Sequence, residues 1–187
     1  MKEKEKQFND LLMEWNEKIN LVSRKRTDAF DLIEDSKLFF EAIDFKPGVK
    51  ILDLGTGGGL PGIVIAIHHP DAFLSLVDSI QKKIKVVDDI ILKLELTNAK
   101  AICTRAEELA LKPGHRNKYD YVVSRSVAVL PELCEWSKSL LKQGGKLVTI
   151  KGGELNEEIN TARKLIFVKR IEQSEMRERK IVVVEIS

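Results

Sequence analysis

Apolar positions in the first 46 residues recur at three- and four-residue spacing. Phe8, Leu11, Leu12, Trp15, Ile19 and Val22 fall on one face of a helix, with charged residues between them. Phe30, Ile33, Phe40 and Ile43 predict a second helix, with Thr27 as its N-cap and Pro47-Gly48 as its stop. From Val49 the rhythm changes. Short β-branched or apolar runs at 49–54, 73–77, 101–103, 119–123 and 146–150 are separated by helical patterns at 61–68, 81–94 and 131–141. That alternation predicts βαβ units and a doubly wound, mostly parallel sheet, an α/β fold. A polar helix over 154–164 follows, and then two further strand-like runs, 167–172 and 180–186, which are expected to pair as a hairpin at the sheet edge. No internal repeat and no linker rich in Pro, Gly or Ser divides the chain. The expectation is one domain over 1–187, made of a helical extension at 1–46 and a ligand-binding sheet at 47–187.

Charge changes this picture little. The 187 residues hold 31 Lys plus Arg against 29 Asp plus Glu, a formal net charge of +2. Such a balance does not announce a nucleic-acid binder, whose domains typically sit at a pI above about 9. Cys103 and Cys134 lie in apolar surroundings without metal-ligand spacing, so neither a disulfide framework nor a metal site is expected. His68 and His69 are adjacent and would point about 100° apart on a helix, which is a poor chelating arrangement. No apolar run follows the charged amino terminus and none approaches the roughly 20 residues a membrane span needs, so a cytoplasmic protein with no membrane partner is expected.

The chemistry concentrates where the first strand ends. Asp53-Leu54-Gly55-Thr56-Gly57-Gly58-Gly59-Leu60-Pro61-Gly62 joins that strand to a helix. Glycines there permit positive φ and let backbone approach a ligand closely, so a nucleotide-type ligand is expected at this strand end. Gly57, Gly59 and Gly62 also satisfy a dinucleotide fingerprint, but Asp53 would set a carboxylate beside the phosphates, and Pro61 removes a helix N-terminal donor. A ligand with an ammonium and a sulfonium, such as S-adenosylmethionine, suits that carboxylate better. Asp78, at the end of the second strand, is placed to accept from ribose hydroxyls, or else to cap the helix that follows. Ala106 and Glu107 follow the third strand, where backbone can reach an adenine edge. Arg125 and Lys151 follow the fourth and fifth strands, at the carboxyl edge where ligands bind in this architecture.

The run from Asp53 to Ile63 resembles the small-subunit ribosomal RNA guanine-N7 methyltransferases, also called glucose-inhibited division protein B. The resemblance continues in Trp15-Asn16, Asn20-Leu21, Asp35-Ser36, Val77-Asp78-Ser79 with Lys82-Lys83, Arg105-Ala106-Glu107, Ser124-Arg125 and Lys151-Gly152. It departs at Leu32, where the family usually has His, and at Ser126, where it usually has Ala. What the resemblance implies is an S-adenosylmethionine-dependent methyltransferase of Rossmann-like fold with a helical amino-terminal extension. Its cofactor site would be lined by Gly55, Leu60, Ala106, Glu107 and Arg125, and its substrate would be one guanine of small-subunit ribosomal RNA, bare or within a ribosomal particle. Guanine N7 has a free lone pair and no proton, so methyl transfer needs positioning and no general base. Arg125 and Lys151 are the groups expected to orient the base or its phosphate, in a protein expected to be a monomer. Two rivals share these sequence features: a methyltransferase of the same fold acting on a small molecule or protein, and a non-catalytic RNA-binding assembly factor.

Overall fold

The computed structural model describes all residues 1–187. Two helices open the chain, α1 (Lys2–Lys18) and α2 (Phe30–Ala42). Strands and helices then alternate as β1 (Lys50–Leu54), α3 (Gly62–His68), β2 (Phe73–Asp78), α4 (Gln81–Lys93), β3 (Ala99–Cys103), α5 (Ala106–Leu109), β4 (Tyr119–Arg125), α6 (Leu130–Ser137) and β5 (Leu141–Lys151). The chain closes with α7 (Asn156–Ala162), β6 (Val168–Met176) and β7 (Arg179–Ile186). The strands form one sheet in the order β3-β2-β1-β4-β5-β7-β6. β1 to β5 are parallel, and β7 is antiparallel between β5 and the edge strand β6. The order reverses beside β1, so the carboxyl ends of β1 and β4 flank the crevice where ligands bind in open α/β sheets.

Each face of the sheet has its own core. One cluster joins Ile51, Leu74, Leu76 and Val123 of the strands to α3, α4 and the helical extension, including Phe8, Leu12, Ile33, Leu38 and Phe39. The other packs Leu52, Leu54, Val122 and Val184 against Leu130, Leu133, Cys134 and Ile159 of α6 and α7. The extension therefore belongs to the same hydrophobic core as the parallel strands. Glu5 adds a polar tie: its carboxylate meets Nε2 of His68 at 2.5 Å and Nζ of Lys37 at 2.9 Å, linking α1, α2 and α3.

Several element boundaries differ from expectation. α1 ends at Lys18, which leaves Ile19 and Val22 beyond the helix. α2 begins after Ala29, and Thr27 does not cap it; the Phe30 N–H donates to Oδ1 of Asp28 at 3.2 Å and the Ala29 N–H to Oδ1 of Asn9 on α1 at 2.7 Å, so a local carboxylate and a tertiary amide share the helix start. α6 ends at Ser137, four residues short of the expected Leu141, because Leu141 pairs with Tyr119 and starts β5 early. The register then shifts between Tyr119 and Tyr121, where Gly144 takes up a φ of +76°. No helix is long and apolar enough to cross a membrane, and both cysteines are free.

Candidate functional site

The loop after β1 is shaped by its own hydrogen bonds. Gly55 N and Thr56 N both donate to the Val77 carbonyl, at 2.8 and 2.9 Å, which turns the chain over the end of β2. Gly55 has a φ of +75° and no room for a side chain, since a Cβ would lie 2.4 Å from a methyl of Val127. Gly58 is fixed from the opposite side: a Cβ there would fall 2.6 Å from Leu12 Cδ1 and 3.3 Å from Leu21 Cβ. The loop is thus held between the β4–α6 connection and the helical extension.

Asp53 sits beneath this turn, fully buried. Its Oδ2 accepts from Thr56 Oγ1 at 2.6 Å and from Gly62 N at 2.8 Å, while Oδ1 accepts no hydrogen bond. Burial pushes its carboxyl up to about 6, against those two hydrogen bonds and the attraction of Arg125. Asp78 performs two tasks in the same region. Its Oδ2 accepts from Gly57 N at 3.1 Å, hooking the glycine loop to the end of β2, and its Oδ1 accepts from Ile80 N at 2.9 Å, opening the turn into α4. Lys83 Nζ stands 3.9 Å from Oδ2.

A cavity of about 460 Å³ opens at the carboxyl ends of β1, β2 and β3, within the range of small-molecule sites. Gly55, Asp78, Ala106 and Glu107 are on its wall, and the structure brings these four predicted residues together. Asp53, Gly57, Gly59 and Leu60 are not on that wall. Asp53 and Leu60 are buried under the loop, Leu60 as part of the hydrophobic core. Gly57 and Gly59 shape the loop through positive φ values of 57° and 99°.

Three apolar cavity residues carried no strong sequence signal: Ile80, Val127 and Trp136. Ile80 is 47% exposed and Val127 is 40% exposed, unusual for aliphatic side chains beside a buried core. One cue was available. Ile80 occupies the N-cap of α4, a position that favours a short polar residue. Trp136 lies beside the buried face of α6, and periodicity cannot separate a cavity-lining position from a core one.

Arg125 ends β4 half-buried, within reach of the charges of Asp35 and Arg26 in the helical extension and not on the cavity wall. Burial pulls its guanidinium below the usual arginine value; Asp35 and Asp53 oppose that shift, and Arg179 and Arg26 reinforce it. Asp35 is itself held by Nε and Nη2 of Arg179, at 3.0 and 2.9 Å. Ser126, the next residue, adopts a φ of +55° that turns the chain out of the strand.

Lys151 stands at the carboxyl end of β5, as expected, but its ammonium is engaged within the fold. Its Nζ donates to the Ala128 carbonyl at 2.8 Å and pairs with Glu158 at 2.8 Å, and it does not line the cavity. Glu158 also accepts from Leu130 N at 2.7 Å, at the start of α6. Lys151 therefore clasps the segment that carries Val127 to α7, and its charge is committed within the fold.

The family model GidB, rRNA small subunit methyltransferase G, matches residues 1–183. Ribosomal RNA small subunit methyltransferase G of Clostridium novyi (strain NT) is 41% identical over 176 residues, covering 92% of this chain and 72% of that protein. The protein of the same name from Chlorobium chlorochromatii (strain CaD3) is 46% identical over 156 residues, covering 82% of this chain and 64% of that one. Among solved structures, a SAM dependent methyltransferase from Aquifex aeolicus superposes with a TM-score of 0.65 at 20% identity, over 85% of this chain and 93% of that one. A SAM-dependent O-methyltransferase from Thermotoga maritima gives 0.63 at 15% identity, over 82% and 65%. At such identities these two establish a shared fold alone.

Proposed function

The chain belongs to the rRNA small subunit methyltransferase G family, and on that premise we propose that it transfers a methyl group from S-adenosylmethionine to N7 of a guanine in small-subunit ribosomal RNA. The observation that carries this reading is the makeup of the cavity: a glycine turn and a strand-end carboxylate on one side, exposed aliphatic side chains on the other. An adenosyl ligand fits that set. The Asp78 carboxylate has about four lone-pair sites and uses two of them on Gly57 N and Ile80 N, so acceptors are left for ribose hydroxyls. Ile80 and Val127 offer apolar surface to a flat purine, and backbone at Ala106 can reach its edge. Asp53 and Asp78 together make the region beneath the loop favourable for a cation. When bound, the cofactor supplies a methyl group on a positively charged sulfur, which is already a good leaving group.

The remaining work is positioning. N7 presents a lone pair in the plane of the base with no proton to remove, so the site needs no general base, and none of its carboxylates has to act as one. Arg125 offers a planar donor fork at the rim, suited to the O6 edge or a phosphate while N7 stays free. Arg24, Lys25 and Arg26 lie in the connection between α1 and α2, and Arg26 is close enough to Arg125 for the two charges to oppose each other. These residues form the phosphate-contacting surface of the reading. Lys151 supports the wall and does not touch substrate. The protein acts as a cytoplasmic monomer on RNA that is bare or held in a ribosomal particle.

Methyl-labelled cofactor offered with bare small-subunit RNA, with small-subunit particles and with a pool of metabolites and proteins tests the reading. Label is expected in RNA, at one guanine that becomes sensitive to N7-specific strand cleavage. Label in the metabolite or protein pool would redirect the enzyme to another substrate. Tight RNA binding without any cofactor affinity would make the chain an assembly factor.

A further inference from the structure

The opposite edge of the sheet carries a second depression, which the methyl-transfer site does not use. It has a volume of about 380 Å³ and is walled by the amino ends of β1 to β4. Lys50, Lys100 and Lys118 line it together with Phe73, Asn98 and Tyr119, and no Asp or Glu does. None of the three lysines forms an ion pair. The adjoining Asp120 is already engaged, accepting from the Lys50 backbone N–H at 2.7 Å and pairing with Lys142 Nζ at 2.7 Å. Lys118 is half-buried and its ammonium is pulled below the usual lysine value by burial and by Lys100 and Lys50. His115 is lowered as well, by burial and by Lys118, Lys100 and Lys112. Like charges are therefore gathered in one concavity without an internal counterion, which disfavours the apo fold and favours an anion.

The aromatic lining makes the anion more specific. Phe73 is 58% exposed at the first position of β2, beside the lysines. An exposed aromatic ring flanked by lysines is the combination that holds single-stranded nucleic acid, with bases stacked on the ring and phosphates on the cations. β2 runs six residues from Phe73 to Asp78, so the groove and the strand-end carboxylate are about 17 Å apart at ~3.3 Å per residue. One nucleotide cannot occupy both places.

We propose that this amino-edge groove is a second contact surface for the RNA substrate, taking phosphates on Lys50, Lys100 and Lys118 and an unstacked base on Phe73, remote from the nucleotide being methylated. The inference rests on the reading of RNA as substrate. It explains how a chain of near-neutral net charge grips a polyanion: the cations are concentrated in patches, one at the cofactor mouth and one here.

The test compares the wild-type protein with two variants, K50Q/K100Q/K118Q and F73A, using bare small-subunit RNA and small-subunit particles as probes. Cofactor affinity by calorimetry and the thermal unfolding midpoint check that each variant is folded. The triple variant is expected to lower the log-log salt slope of RNA affinity by about one per lysine removed. KM for RNA should rise several-fold in both variants while kcat at saturating RNA stays within twofold, because the cofactor cavity is untouched. Folded variants with wild-type slope and KM would overturn the proposal. A loss of affinity for particles but not for bare RNA would assign the groove to a ribosomal protein and overturn it too. A wild-type protein that binds no RNA at any salt would overturn the substrate reading along with it.

Discussion

Asp53 shows how a residue can be recognised in sequence while the partners of its side chain stay hidden. Its place at the end of the first strand, ahead of a glycine turn, is legible from spacing alone. What spacing cannot convey is that the side chain turns inward and spends one oxygen on Thr56 and Gly62. Its folded carboxyl titrates near 6, whereas the unfolded one does so near 4. Between those values the native state holds the extra proton, so this group makes stability fall as pH rises from 4 to 6 and contributes no further change above that. D53N should flatten that fall by an amount on the order of 3 kcal/mol, read from urea unfolding at several pH values; an unchanged profile would mean that Asp53 titrates normally. Asp78 is the counterpart whose expected acceptor capacity remains open to a ligand. D78A should weaken S-adenosylmethionine by about 1 to 3 kcal/mol, the scale of lost charge-assisted hydrogen bonds, and isothermal titration gives the value directly.

The elements were more legible than their ends. Alternating apolar runs and helical periods give every parallel strand, α3, α4 and α6 between them and the final hairpin, because each buries a face against the sheet; the single turn of α5 is too short to show a period. The boundaries of α2 and β5 were not legible, since a distant acceptor on Asn9 and a pairing with Tyr119 help decide them. Nor does periodicity say that β7 inserts next to β5 and leaves β6 outside, although the apolar Ile181–Val184 run against the charged 168–176 run is consistent with that order. Spacing also does not convey that the helical extension touches the glycine loop, which α1 reaches through Leu12. L12A should cost about 2 to 5 kcal/mol of stability as a buried large-to-small change. It should also reduce cofactor affinity, because Gly58 loses its backing. Chemical denaturation and calorimetry on one preparation separate the two effects, and full cofactor affinity in a destabilised variant would deny that α1 supports the loop.

At the scale of the whole molecule, net charge was the least informative quantity. A formal charge of +2 conceals local fields, because some cations are paired within the fold and others are not. Arg179 is spent on Asp35 and Lys151 on Glu158, which no count of residues reveals. Replacing Arg24, Lys25 and Arg26 together should lower the salt dependence of RNA binding by roughly 0.7 to 0.9 for each phosphate the variant no longer neutralises and leave cofactor affinity alone. R125A should instead reduce turnover more than it changes that slope. Equal effects from the two sets, measured by filter binding and single-turnover transfer, would erase the distinction between gripping the RNA and orienting the base.

Leu12 and Leu21 lie against the Gly58 backbone, and only two residues separate Leu21 from Arg24. A macromolecule that seizes the α1–α2 connection therefore acts on the same packing that holds the ligand turn. Any change it makes in the free energy of that turn is a coupling energy, and coupling is reciprocal by thermodynamic necessity. The factor by which saturating RNA alters the dissociation constant of S-adenosylmethionine must equal the factor by which saturating cofactor alters that of RNA. Closing this cycle of four titrations measures the cooperativity, and L12A should bring the factor toward one.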